Sequence, residues 1–376
     1  MPTPPSLRRL SLSDLDEQAL RSLIAHGEDL FVERKQALPK EGIGRAAASF
    51  ANSLGGWILL GVADNKELVG YATPGRSDVQ SHIGQLLANE VEPVPPFVAE
   101  SRVLDRKSLV IIRVFESSDT PHLLRKTGAV PIRTPQGTKP VVDQGLLLQL
   151  ARRGEAALET ARNRLATDLI ATELGTPDRP DIVGVSDAEP YVIVRAALVT
   201  PPPHFASWAL SQAAPATAVS AANEIARILG IQLSPVDTET TSRGRGVSAG
   251  WRAGFHVPVG ARVTIDAAGV VGARLVRGRG TGAVSLHAIK GDYVSPLMLG
   301  VGDVLRLAEA YGRSVWRVDI SLPRQDFTVV DAPRRMGRPF YASGELPSPP
   351  DFEASAALTD AFIREFAREM GVEQYE

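Results

Sequence analysis

The most constraining feature of this sequence is the apolar run Trp57–Val62, which contains no polar residue. The run follows the pair Gly55–Gly56, and the acid Asp64 comes two residues after it. A short apolar run bounded by glycines and a turn residue is typical of a strand buried on both faces, because a half-exposed strand would alternate apolar and polar residues. The run therefore predicts a central strand in a sheet covered on both sides, with Asp64 emerging where the strand ends.

The segments around this strand predict a domain of the α+β class. A helix is predicted over Ser13–His26, capped by Ser13, and Asp29–Lys35 is predicted to be extended, with Glu33 and Lys35 on one face. The residues after Asp64 predict a partner strand over Lys66–Tyr71. Further helices are predicted over Gly44–Asn52, Val79–Asn89 and Asp143–Arg153, and further strands over residues 96–115 and 129–134. Together these elements predict an α+β domain over residues 1–155.

The remaining residues predict a connection and a second α+β domain. Residues 156–184 form the connection, in which a helix over Ala156–Leu174 is followed by a polar, proline-containing linker. Residues 185–376 contain strand patterns such as YVIVRAALV and SVWRVDISL, and they resemble no family that we recognise. The role of this domain stays open between oligomerisation, partner docking and ligand sensing. Its predicted helices are Ala214–Leu229, Val301–Tyr311 and Asp351–Met370.

Composition narrows the class of protein. The net charge is −2, and no apolar run approaches the roughly 20 residues that span a membrane, so we expect a soluble, cytoplasmic protein with no membrane partner. The absence of cysteine excludes disulfides and thiolate zinc sites. Cations are locally enriched between residues 120 and 154, which favours either a phosphate-facing edge or a solvated surface. These residues are Arg125, Lys126, Arg133, Lys139, Arg152 and Arg153, against Asp143 as the one acid.

Four segments, taken in order, resemble the Schlafen-type Alba-like domain family, a family described as DNA-binding. They are EDLFVERK, ASFANSLGGWILLGVADN, VGY and VPIRTPQGTKPV. The resemblance covers about residues 27–153. It implies a mixed sheet with helices and a protein that binds nucleic acid, either DNA or RNA, with a role in regulation as one reading.

The same resemblance implies an alternative function as a metal-dependent endoribonuclease. In some eukaryotic relatives the domain cleaves RNA with three carboxylates, and Glu28, Glu33 and Asp64 match their order and residue types. Such carboxylates would hold Mg²⁺ or Mn²⁺, and Lys35 would stabilise the phosphate. We expect the three carboxylates to approach within roughly 4–6 Å if they share a cation. Departures from the family pattern are Arg34, where an apolar residue is common, and Ala63, where a second acid is common.

A simpler interpretation of these acids needs no metal. Glu28 would sit at a helix end, Glu33 and Lys35 would form a surface pair, and Asp64 would be a turn residue. Nucleic-acid binding would then rest on cations that contact backbone phosphates without reading sequence. The predicted phosphate ligands are Lys35, Arg45, Arg125, Lys126, Arg133 and Lys139.

Two further expectations concern cofactors and assembly. The sequence contains no GxxxxGK[ST] motif, so it supports no nucleotide cofactor. Eukaryotic relatives pair two copies of the domain to form a groove, whereas one copy is recognisable here, so the resemblance implies a homodimer. The two classes of function, a binding protein and an enzyme, both remain open from sequence.

Overall fold

We analysed a computed structural model of the chain. The described residues are 7–8, 10–38, 42–71, 78–172, 191–230, 237–240, 246–253, 259–277, 282–321, 327–330, 332, 340–346 and 352–372. They fall into two compact units. Unit 1 comprises residues 1–159 with 202–204, and unit 2 comprises residues 160–201 with 205–376. Both contain helices and sheet, which confirms the α+β class.

The sheet of unit 1 has four strands in the order β1-β2-β5-β4. Strand β2 pairs in parallel with β1 and antiparallel with β5, so the apolar run of the sequence is central, as predicted. In the β1–β2 register Val32 lies opposite Trp57 and Lys35 lies opposite Leu60. The bounds are β1 Val32–Lys35, β2 Gly56–Leu60, β4 Phe97–Leu104 and β5 Lys107–Val114.

Both faces of β2 are covered, which explains why the strand has no polar residue. Trp57 and Leu59 pack into one apolar cluster with α1, and Ile58 and Leu60 pack into another with α2 and α3. All five residues of β2 are buried. The helices of this unit are α1 Glu17–His26, α2 Gly44–Ala51 and α3 Val79–Glu90.

Three details of unit 1 differ from the sequence prediction. Asp16, not Ser13, caps α1, because its side chain accepts a hydrogen bond from the amide of Ala19. The extended segment shortens to Val32–Lys35, because Asp29 turns the chain by accepting bonds from the next amides. Lys66–Tyr71 is not a strand, since β1 and β5 already occupy both edges of β2. Its described pairing is a single bridge from Val62 to Leu68.

A two-stranded pair and a small hairpin complete unit 1, and a long helix follows them. Strand β3 (Val91–Glu92) pairs with β6 (Leu123–Leu124), and β7 (Pro131–Thr134) pairs with β8 (Gly137–Pro140). Helix α4 runs without a break over Gln144–Thr172, where the sequence predicted two helices. Gly154 does not interrupt it. A Cβ there would lie 2.4 Å from the carbonyl oxygen of Ser118, so glycine permits a close approach within unit 1.

Unit 2 is built on a seven-stranded antiparallel sheet in the order β10-β11-β12-β13-β9-β15-β17. One face packs against small residues of helix α6 (Ala213–Ile228), and a Cβ at Gly300 of helix α8 (Ser295–Leu307) would lie 2.7 Å from Ile225 of α6, so the helices approach closely. The strands are β9 Tyr191–Leu198, β10 Asp237–Thr240, β11 Gly246–Ala253, β12 Val259–Asp266, β13 Val270–Arg277, β15 Ser314–Ser321 and β17 Phe340–Leu346, with a separate parallel pair, β14 Gly282–Ser285 and β16 Phe327–Val330.

The helices of unit 2 agree broadly with the sequence patterns. They are α5 Phe205–Ala209, α6 Ala213–Ile228, α7 Leu286–Ala288, a π-helical turn Ile289–Val294, α8 Ser295–Leu307 and α9 Phe352–Glu369. The predicted linker after residue 174 lies outside the described residues. Among the helices in the described part of the chain, none combines the length and apolar character needed to span a bilayer.

Candidate nucleic-acid interface

The outer edge of β1 is protected by side chains from its own flank and from β7. The amide of Arg34 donates to Glu28 Oε1 at 2.8 Å, and the amide of Val32 donates to Asp29 Oδ1 at 3.0 Å. Arg133 Nη2 donates to the carbonyl of Val32 at 3.0 Å. An unpaired strand edge exposes amides and carbonyls that invite association, and these three side chains satisfy them. Glu28 is thus engaged in backbone capping.

Glu33 lies in an ion-pair network beside this edge. Its carboxylate is 2.6 Å from Arg133 Nη1 and 2.5 Å from Lys35 Nζ. Burial alone would raise the pKa of Glu33, but the hydrogen bond from Lys35 and the charge of Arg133 outweigh it and lower the pKa. Both carboxylate oxygens are therefore occupied by cations of the protein itself.

Arg133 is the buried centre of this network. Its side chain is 4% exposed, and its guanidinium also donates to the carbonyl of Asp29 at 2.8 Å and to Thr138 Oγ1 at 3.2 Å. It stacks over the ring of Phe50 with 4.9 Å to the centroid. The guanidinium is therefore buried and occupied by partners within the protein, and contact of Arg133 with a phosphate stays a prediction.

Asp64 lies beyond the end of β2, in a turn of the chain. It is exposed in the turn after β2, where the amide of Lys66 bonds to the carbonyl of Ala63. Glu33 lies opposite Ile58, six residues before Asp64 in the chain. Asp64 therefore follows the end of β2 and lies outside the β1–β2 register, whereas Glu33 lies opposite the middle of β2. The simpler interpretation of Asp64, a turn residue, describes its place in the fold.

These positions do not fit a shared divalent cation. In the part of the chain that the structure describes, which includes Glu28, Glu33 and Asp64, no three acidic or histidine side chains are grouped as metal ligands would be. Divalent Mg²⁺ and Mn²⁺ need several convergent oxygens, whereas the oxygens of Glu33 already face two cations. The expected approach of the three carboxylates is not observed, and binding of a cation there stays a prediction.

Exposed cations gather around Thr138 on β8. The carbonyl of Thr138 accepts a bond from Arg45 Nη2 at 3.1 Å, and its hydroxyl lies 3.1 Å from that of Ser49 on α2. Lys139 follows Thr138 and is exposed. Since Thr138 also binds Arg133, which binds the Glu33–Lys35 pair, the network connects Lys35 with Arg45, and Lys139 is next to Thr138 in the chain.

Arg125 and Lys126 lie in an exposed turn that is tied to the start of α2. The amide of Arg125 donates to the carbonyl of Glu90 at 2.9 Å, and its guanidinium is 3.0 Å from Glu92. The Glu90 carboxylate in turn accepts from the amide of Gly44, at the first turn of α2. The cationic surface, as we name it, consists of Lys35, Arg45, Arg125, Lys126 and Lys139.

Asn52 is a structural residue whose contacts with distant segments the sequence did not predict. Its side-chain amide donates to the carbonyls of His122 and Pro131 at 2.8 and 2.9 Å. It also accepts from the amide of His122 at 2.8 Å. His122 is fully buried, and burial lowers its pKa to about 4. Asn52 therefore anchors the β7–β8 hairpin to α2. The feature of the sequence that could have indicated this role is the amide residue directly after Phe50 and Ala51 at the end of an apolar helix.

Residues 28–142 match the family model described as "Schlafen, AlbA_2", which confirms the resemblance seen in the sequence. Among solved structures, the chain is similar to the N-terminal domain of a RecG-related protein from Nitrosomonas europaea. The identity is 21%, 33% of this chain and 88% of that chain are covered, and the TM-score is 0.24.

A second similar structure is the DIP2311 protein from Corynebacterium diphtheriae. The identity is 17%, and the TM-score is 0.25. The match covers 32% of this chain and 29% of that one, so it spans under a third of the DIP2311 protein. No curated protein matches the sequence at a significant level.

Proposed function

We propose that unit 1 binds the phosphate backbone of DNA or RNA through the cationic surface. The observation that carries this proposal is the hydrogen-bonded network that holds Arg45 and Lys35 around a buried Arg133–Glu33 pair, with exposed Lys139 beside it. Ordered cations on a rigid support position a polyanion, because phosphate contacts fix register without reading bases. The family match over residues 28–142 supports nucleic acid as the ligand class.

The geometry favours contact by exposed side chains alone. Arg125 and Lys126 are exposed in a turn, and Lys139 is exposed on β8. Each cation that neutralises a phosphate releases counterions, so the logarithm of the association constant should fall with the logarithm of salt by about 0.7 to 0.9 per contact. A regulatory role and assembly of two copies remain further parts of this proposal, and size-exclusion chromatography with light scattering tests the second.

The test measures fluorescence anisotropy of labelled single-stranded DNA, duplex DNA and tRNA across a salt series, with the full chain. The binding variant combines Arg45→Ala, Lys126→Ala and Lys139→Ala. Its matched control is Arg364→Ala, an exposed cation on α9 of unit 2. We expect the triple variant to weaken binding and flatten the salt dependence while the control does neither. Equal affinity of the triple variant and wild type would overturn the proposal.

The same incubations test the endoribonuclease alternative. Mn²⁺ or a chelator is added, and the nucleic acid is examined for cleavage. Because Glu33 belongs to a buried ion pair, Glu33→Gln also perturbs the fold. Asp64→Asn is the cleaner variant, since Asp64 is exposed in a turn. Cleavage that requires Mn²⁺ and is lost in Asp64→Asn would establish the enzyme, whereas chelator-insensitive binding without cleavage would establish the binding protein.

A further inference from the structure

Glu90 joins three segments of unit 1 that are distant in sequence. It is the last residue of α3, and its carboxylate reaches the first turn of α2, 46 residues earlier, where Oε2 accepts from the amide of Gly44 at 2.5 Å. The amide of Ile43 bonds to the same carboxylate. Its own carbonyl accepts from the amide of Arg125 at 2.9 Å. One residue therefore contacts the starts of both cation-bearing segments, α2 with Arg45 and the turn with Arg125 and Lys126.

The Glu90 carboxylate fits because two glycines leave room for it. A Cβ at Gly42 would lie 1.6 Å from Glu90 Oε1, and a Cβ at Gly44 would lie 2.6 Å from Glu90 Oε2. Gly42 also has φ +74°, a conformation that other residues adopt rarely. Only glycine therefore fits at these two positions while the Glu90 carboxylate keeps its present position.

The carboxylate acts as the cap that α2 lacks in its own sequence. Ile43 precedes the helix and supplies no side-chain hydrogen bond. The first amides of a helix need acceptors, and an anion there also interacts well with the helix dipole. Burial raises the pKa of Glu90, and the bonds from Gly44 and Ile43 work against that rise. The cap fixes the first turn of α2 and, with it, the backbone of Arg45.

We infer that Glu90 is a positioning residue for the cationic surface, holding Arg45 and the Arg125–Lys126 turn in one arrangement for a phosphate backbone. This inference rests on the proposed function. It assigns Glu90 no contact with nucleic acid, because its carboxylate would repel phosphate. The charge of Glu90 opposes binding, whereas its hydrogen bonds support binding, and two substitutions separate these effects.

Glu90→Gln keeps an acceptor and removes the charge, and Glu90→Ala removes both. Gly44→Ala keeps the charge but displaces the carboxylate. For single-stranded DNA, each phosphate contact contributes about 0.7 to the slope of the logarithm of the association constant against the logarithm of salt. We expect Glu90→Ala and Gly44→Ala to reduce the magnitude of this slope by about 2, which corresponds to three cations. Glu90→Gln should bind at least as tightly as wild type. Alanine for glycine in a helix ordinarily stabilises, so loss of binding in Gly44→Ala would run against helix propensity.

A second readout reports position without binding. The chain has no cysteine, so Lys126→Cys accepts a single nitroxide spin label on the turn. Its electron paramagnetic resonance spectrum should show an ordered label in the otherwise unchanged chain and in Glu90→Gln. The label should become mobile in Glu90→Ala, below the unfolding temperature of each variant. A variant that is merely less stable, but keeps the turn in place, would leave the spectrum unchanged.

The outcomes separate the two proposals. If the wild-type chain binds no nucleic acid, the proposed function fails. If it binds and Lys139→Ala weakens binding, but Glu90→Ala keeps the wild-type salt dependence and an ordered label, the inference about Glu90 alone is overturned. Loss of binding in Glu90→Gln equal to that in Glu90→Ala would also overturn it, because the hydrogen bonds would then not be what matters.

Discussion

Each unit contains an arginine that is buried on its sheet and paired with a carboxylate, but the two pairs have different surroundings. In unit 1 Arg133, 4% exposed, lies 2.6 Å from Glu33. In unit 2 Arg195, 3% exposed, lies 2.8 Å from Asp319, whose carboxylate is shared with Arg317. Arg195 also donates to the carbonyl of Leu165 in the same unit.

The network of unit 1 differs because it continues to exposed cations. Glu33 also binds Lys35, which is 34% exposed, and Arg133 binds Thr138, whose carbonyl holds Arg45. A buried ion pair contributes little net stability by itself, but removing one partner leaves the other charge buried and unpaired. The comparison teaches that a buried arginine is a support in both units, and that only its exposed neighbours are candidates for binding a ligand.

The largest effect should come from breaking the buried ion-pair network of unit 2. Asp319→Ala leaves Arg195 and Arg317 without their shared carboxylate and should lower the free energy of unfolding by about 3–5 kcal/mol. Urea unfolding of the full chain, followed by tryptophan fluorescence at buried Trp316, measures it. Glu224→Ala, which breaks an exposed pair with Arg227, is the control and should change stability by under about 1 kcal/mol. Similar losses of unfolding free energy in Asp319→Ala and Glu224→Ala would contradict a stabilising role for the buried Asp319 network.

Arg133→Met should have the next largest effect. The substitution keeps much of the volume over Phe50 but leaves Glu33 with Lys35 as its remaining cation, so we expect a loss of about 3 kcal/mol in unit 1. Arg45→Ala, on the exposed side of the same network, should cost little stability. If Arg133→Met instead weakened nucleic-acid binding at unchanged stability, Arg133 would be a ligand residue after all.

Acid should destabilise unit 1 through His122. Its pKa is lowered to about 4, below the unfolded value of about 6.5, so the folded state resists the proton that the unfolded state binds. Stability is fully present above pH 6.5 and is lost as pH falls towards 4, by up to about 3 kcal/mol. The lowered pKa of Glu33 acts at lower pH, below its unfolded value of 4.5.

Unfolding measured between pH 7 and pH 5 therefore reports His122 rather than Glu33. The variant His122→Asn does not titrate there and should show a flatter pH dependence, whatever its stability at pH 7. A parallel decline in the variant and the wild-type chain would show that another group is responsible.

The smallest effects should separate two lysines of the cationic surface. Lys139→Ala should weaken nucleic-acid binding several-fold and flatten the salt dependence by about 0.7 to 0.9, the value of one phosphate contact. Lys35→Ala should weaken it less, because Lys35 is already paired with Glu33 at 2.5 Å. Anisotropy at two salt concentrations measures both. The reverse order would place the ligand along β1 instead of β8.

Several features of unit 1 were predictable from local sequence. The apolar run at Trp57 indicated the central strand, because burial on both faces requires an unbroken apolar segment. The helix Gly44–Ala51 followed from its alanine content and the helix Val79–Glu90 from apolar spacing, and the order of four segments indicated the resemblance to the family. All of these depend on residues close together in the chain, so the sequence by itself determined them.

The partners that charged side chains find in distant segments were decided by the tertiary structure. Glu33 and Arg133 are 100 residues apart, and Glu90 and Gly44 are 46 residues apart. In the fold, Glu28 caps a strand edge, Glu33 pairs with buried Arg133 and Asp64 lies in a turn. A charge in a sequence is the same whether it is buried or exposed, and its pairing depends on which distant segments the fold brings against it.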